Sequence, residues 1–153
     1  MSNVKEEFLG SLPWRELCIH LCRDIRVDGG FTYAIRESLH WGYSTRYSLN
    51  KPVSGYSVST LKEVEKVWPY PCVALLPLIE EYLRDIALGW CLTCDPSGNQ
   101  SYFGAWVDGE NLYFDIVKVV ATPAEALALA KANSQLAYYD IEKGESVYVL
   151  DDK

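Results

Sequence analysis

Apolar and polar positions change rhythm along the chain, and the changes mark its elements. Over residues 13–25, Trp14, Leu17, Cys18, Leu21, Cys22 and Ile25 recur at helical spacing while Arg15, Glu16, Arg23 and Asp24 fall elsewhere. That pattern predicts an amphipathic helix with Pro13 in its first turn. An Asp-Gly-Gly break at 28–30 follows, and then Phe31, Tyr33 and Ile35 alternate with smaller or polar residues, which predicts a strand with those three side chains inward. Residues 43–49 and 55–58 fit short strands or an irregular loop around Asn50 and Pro52. Thr60 and Glu63 have the spacing of a capping box and predict a short helix to 67, stopped by Pro69 and Pro71. A further helix is expected from 71 or 74 to 88, ended by Gly89.

The second half has the sharper pattern. Segments 90–95, 101–108 and 112–120 read as three strands of an antiparallel meander, joined by the turn residues of 96–100 and 109–111. Thr122, Pro123 and Glu125 combine an N-cap, a proline at the first helical position and a capping-box acid, so a helix is expected from there to about 133. Segments 136–141 and 146–150 close as a hairpin. The order βββαββ lacks the alternation that builds a parallel sheet. The expected fold is therefore α+β: one domain over 1–153, with a helical, loop-rich first half (1–89) packed on an antiparallel sheet half (90–150).

Composition supports a folded core without naming a chemistry. The chain has 153 residues, 49% hydrophobic and 23% charged, with 11 Tyr among its aromatics. No apolar run approaches the ~20 residues of a membrane-spanning helix. The polar, acidic start is unlike an export signal, which predicts a cytoplasmic protein. Five cysteines, an odd number in that setting, predict reduced and mostly buried thiols.

Charge is unevenly placed. The formal charge is −7, yet residues 38–62 hold no acid, and carry Arg46, Lys51 and Lys62 with Trp41, Tyr43, Tyr47 and Tyr56 between them. Residues 67–153 carry 5 Lys or Arg against 13 Asp or Glu. Such a split predicts faces with different tasks. Arg36, Trp41, Tyr43, Arg46, Tyr47, Lys51 and Tyr56 are the candidate binding residues. An aromatic-rich surface with scattered Arg and Lys suits a protein partner. A small nucleotide-like anion held by Arg36, Arg46 and Lys51 is the alternative, as ligand or as the substrate of an enzyme. Three cations within 38–62 are too few for duplex nucleic acid.

Reactive motifs weigh little against this. Cys91 and Cys94 form a CxxC, and Cys18 and Cys22 share a helix face, but strand alternation would turn the first pair apart and the second lies in an apolar stripe. No metal and no cofactor is expected. His40 beside Trp41 lacks an evident catalytic partner, so no catalytic residue is assigned. The loop starting at Asp95 has Gln100 and Trp106 where a calcium loop needs Gly and Glu.

The runs Gly-Ala-Trp-Val-Asp at 104–108 and Leu-Tyr-Phe-Asp-Ile-Val at 112–117, with Glu125 to Ala130, 135–141, Gly144 and Glu145, carry a resemblance. This third of the chain is similar to C-terminal segments in small uncharacterised proteins of bacteriophages, plasmids and their bacterial hosts. The resemblance transfers no catalytic residue. It implies a mobile-element accessory protein or inhibitor, acting by contact with a bacterial host protein rather than by catalysis.

Overall fold

The computed structural model describes residues 4–39, 45–71, 74–92 and 100–149. The fold is α+β, built on one curled sheet whose neighbouring strands all run antiparallel. In chain order the strands are β1 (Glu6–Pro13), β2 (Gly30–Leu39), β3 (Thr45–Pro52), β4 (Tyr56–Ser59), β5 (Lys66–Pro69), β6 (Ser101–Asp108), β7 (Asn111–Val120), β8 (Ala137–Asp140) and β9 (Glu145–Tyr148). Across the sheet they lie in the order β1-β3-β2-β6-β7-β4-β8-β9, with β5 also on β7. The helices are α1 (Trp14–Asp28), α2 (Leu75–Tyr82), α3 (Leu88–Cys91) and α4 (Pro123–Ala132).

Alternation along the strands builds two faces. Tyr33, Ile35, Leu49, Phe103, Ala105, Leu112, Phe114 and Ile116 turn to one side and bury against Leu17, Cys18, Leu21 and Ile25 of α1 and Leu75 and Ile79 of α2. Each fully buried aliphatic side chain in that layer contributes about 1.5–3 kcal/mol. Helix α4 extends the same layer, packing Ala126 and Ala130 on Val58 and Tyr138. The helices are thus not confined to the first half. On the opposite side the sheet curls on itself, so that Val4, just before β1, and Ile141 pack with Ala34, Tyr102, Val117 and Val119. The hydrogen bond from Val53 N–H to the Lys5 carbonyl (2.9 Å) and that from Ile141 N–H to the Gly55 carbonyl (3.0 Å) hold this closure.

Two expectations differ from the structure, each for a physical reason. The helix expected at 60–67 is only a single 3₁₀ turn, Lys62–Val64, followed by β5. Ser59 pairs with Val117 and Lys66 with Phe114, so β4 and β5 are one strand interrupted beside β7, leaving residues 60–65 to loop out. The capping-box hydroxyl of Thr60 is buried without a hydrogen-bond partner.

The strand expected at 90–95 does not begin at 90; the helix runs on through Trp90 to Cys91, with Gly89 inside it, and 93–95 lie outside the described residues. Buried Leu75, Ile79, Leu83, Ala87 and Cys91 recur every four residues. A regular helix would rotate such a stripe by about 40° per step. The wider π turns of Leu83–Ala87, between α2 and α3, absorb that drift and keep the stripe on the core.

Strand β1 had no sequence expectation, because a bulge between Phe8 and Gly10 interrupts its alternation. The segments 43–49 and 55–58 resolve as strands: the described part of the first begins β3, in mid-sheet between β1 and β2, and the second is β4. Among the described residues no helix is long and apolar enough to cross a membrane.

Candidate functional site

The acid-free segment does not gather its side chains at one point. In β3, Arg46 shares the concave face with Arg36 of β2, by the register of Ser38 on Arg46 and Arg36 on Ser48. Arg36 makes a double ion pair to Glu6 (2.9 and 3.1 Å) and also donates to Gln100, from Nε at 2.9 Å and from Nη2. Tyr102 donates to the same Glu6 carboxylate. Burial works to raise the Glu6 carboxyl, but Arg36 and the Tyr102 hydroxyl outweigh it and hold the group below its usual range. This network ties β1 to β2 and β6, so the charge of Arg36 serves the closure of the sheet. Arg46 donates to the Ser11 carbonyl at 2.6 Å and to its hydroxyl at 3.3 Å.

The aromatic members face the other way. Tyr47 packs edge-on against Trp14 of α1, ring centroids 5.9 Å apart, and Tyr56 against Tyr138, 5.7 Å apart. Trp41 and Tyr43, with His40, lie outside the described residues. Among the described candidates, Lys51 lines a sizeable recess.

That recess is an open trough of about 610 Å³ on the concave side of the sheet, within the size range of ligand sites. Its floor comes from small residues on neighbouring strands: Gly30 and Thr32 of β2, Gly104 of β6, Ser57 and Ser59 of β4, and Ala137 of β8. Gly30 is required there for space, since a Cβ would stand 2.3 Å from the Ala105 carbonyl oxygen. Trp106, stacked on Tyr113 with planes 10° apart, and Tyr139 give aromatic edges. Among the described residues of the lining, Asp28, Glu65 and Asp115 are the acids and Lys51 is the cation.

Asp115 is the unusual member. It has no solvent exposure, and the described residues offer it no cation. Ser59 donates its hydroxyl proton to Oδ2, and the Ile116 N–H donates to Oδ1 at 2.8 Å. Burial drives the carboxyl up to about 6, against the lowering effect of those two donors and with a smaller upward push from Glu65. A carboxyl poised near neutrality beside a cavity is a mark of functional sites. In the sequence its signal is a lone acid inside the apolar run 112–120, at an odd position where Val117 and Val119 follow.

The thiols are packing groups. Cys18, Cys22 and Cys91 are buried and unbridged, and burial pushes the Cys18 and Cys91 thiols up to about 12, away from reactivity. Cys91 sits on a helix rather than a strand, and Cys72 and Cys94 lie outside the described residues. Among the described residues no cluster of three metal-ligating side chains forms. His20 approaches Asp24 at 3.3 Å, and Tyr33 donates to the same carboxylate in the helix–sheet layer. Compared with protein-family models, with curated proteins and with solved structures, the chain matches none.

Proposed function

We propose that this chain is a non-enzymatic binding protein that captures a protein partner on the concave face of its sheet. The observation that carries the reading is the trough together with what borders it. Tyr139 (43% exposed) lines its β8 side, and Tyr148 (71%), paired with Ala137, stands on the same face of the adjoining β9. Tyr side chains offer large contact area at low entropic cost, and exposed aromatic anchors beside a recess are the anatomy of a protein-binding patch. The resemblance of the 104–145 region to proteins of phages and plasmids favours a bacterial host protein as the partner, and an accessory or inhibitory role. A nucleotide-like anion draws less support. Arg36 is engaged with Glu6 and Gln100, Arg46 bonds Ser11, and the trough itself carries more acid than base.

Capture from bacterial lysate tests the reading. The double variant Tyr139→Ala/Tyr148→Ala and the trough-filling variant Gly104→Leu should each lose the partner, while Arg15→Ala/Glu16→Ala, on the exposed side of α1 across the sheet from the trough, retains it. Undiminished capture by the first two overturns the assignment of this face.

A further inference from the structure

We infer that the Ser59–Asp115 pair is a subsite of the trough for a cationic hydrogen-bond donor, the guanidinium or ammonium of a basic side chain on the partner. This rests on the trough being the capture face. The geometry of the pair gives the reason. Ser59, half-buried, lines the trough, whereas Asp115 is wholly covered beneath it. The Ser59 proton is directed to Asp115, which leaves the lone pairs of Oγ for a group in the trough. With Asp115 ionised, Ser59 is therefore an acceptor and selects N–H donors.

The carboxylate itself acts from behind the hydroxyl. Its Oδ1 and Oδ2 hold one neutral donor each, and the described residues supply no counter-ion. A buried charge in that state is costly. A ligand cation resting on Ser59 relieves the cost across a short, poorly screened gap, and the Glu65 and Asp28 carboxylates of the lining add to the attraction. Trp106 presents an aromatic ring to the same space, a surface on which guanidinium groups stack. Ser59 is the contact residue, and Asp115 is a positioning residue that sets the direction of its hydroxyl and the sign of the local field.

Proton linkage gives the inference its readout. The titratable groups around Asp115 are Glu65 before β5, Tyr82 of α2 below the sheet, Asp28 and Lys51 at the trough, and Tyr138 and Tyr139 of β8. The Asp115 carboxyl titrates at about 6, so a cation binds best once it is ionised.

The probes are acetyl-arginine amide and acetyl-lysine amide, with acetyl-citrulline amide as the neutral near-isostere. Binding is followed by calorimetry and by the Ile116 amide resonance, whose N–H touches Asp115. Affinity for a basic probe should rise by up to about tenfold per pH unit below the Asp115 midpoint and level off above it. The Ile116 titration should move to lower pH when the probe is bound. Asp115→Asn should bind at least about fivefold more weakly at pH 7.5 and lose the pH dependence, and Ser59→Ala should also weaken binding.

An affinity flat from pH 5 to 7.5, equal binding of citrulline, undiminished binding by Asp115→Asn, or no binding of either basic probe overturns the inference. Loss of lysate capture in Gly104→Leu alongside any of those results would leave the capture face standing and remove only the subsite.

Discussion

Asp115→Asn keeps the shape of the side chain and removes the charge that burial penalises. The amide can still accept from the Ile116 N–H through its oxygen, and its NH₂ can donate to Ser59 Oγ, so both existing contacts survive with one reversed. A carboxyl that titrates at 3.8 when exposed and at about 6 in the fold carries ~3 kcal/mol in favour of its neutral form. Below 3.8 the group is neutral in folded and unfolded chains alike, and no penalty exists. As pH rises from there to about 6, the unfolded chain ionises first and the fold loses stability; above about 6 the loss is constant.

The variant lacks this titration. It should match the parent near pH 3.5, and exceed it by ~2–3 kcal/mol at pH 7.5. Urea unfolding at half-unit pH steps, followed by circular dichroism, measures the difference directly. Other titrating groups, Glu6 among them, cancel in the subtraction. A gap that stays flat between pH 4 and 7, or an Asn variant less stable than the parent at pH 7, refutes the account of Asp115 as a buried, uncompensated acid. Ser59→Ala provides the converse: without its donor the carboxyl should titrate still higher, and the protein should lose ~1–3 kcal/mol at neutral pH.

Arg36→Met should cost ~1–2 kcal/mol at pH 7, moderated by the partial exposure of the Glu6 pair. Because the folded Glu6 carboxyl lies below its unfolded value of 4.5, that contribution is present above 4.5 and is lost as pH falls through the lower folded value; a matched parent–variant gap at pH 3 and 7 would exclude the ion pair as its source. Gly30→Ala should destabilise by ~2 kcal/mol or more, since its methyl would meet backbone of β6 at 2.3 Å, whereas Gly104→Ala, with its nearest contact at 3.6 Å, should change thermal stability little. Equal melting temperatures for the two variants would contradict the close approach of β2 to β6. Thr122→Ala removes the oxygen that accepts from Glu125 N–H at 3.2 Å and should cost ~1 kcal/mol, read as lost helicity and a lower unfolding midpoint.

What the sequence makes legible is whatever depends on neighbours along the chain. The α1 stripe, the cap at Thr122 and the alternation of 101–108 and 112–120 are local signals, and all four reappear in the fold. Elements set by distant partners are not legible. Residues 66–69 form a strand because Asn111–Phe114 offer a free edge there, and Trp90 and Cys91 stay helical because π turns upstream re-aim Cys91 at the core. The site follows the same division. Arg36 counts as a candidate binding residue in the sequence, but Glu6, thirty residues away, takes up its charge. The trough is assembled from β2, β4, β6, β7 and β8, so no single segment announces it. Only Asp115, an acid among Val, Ile and Phe, left a local trace.

The interrupted strand beside β7 has a consequence for how this surface can change. Residues 59 and 66 are each anchored to β7, so the intervening loop can lengthen without moving either anchor. Doubling such a loop adds only about 0.6 kcal/mol of closure entropy. Glu65 lies at its end, on the trough. The loop is therefore a place where the shape and charge of the binding recess can be rewritten by insertion, in evolution or in the laboratory, while the sheet that supports it keeps its register.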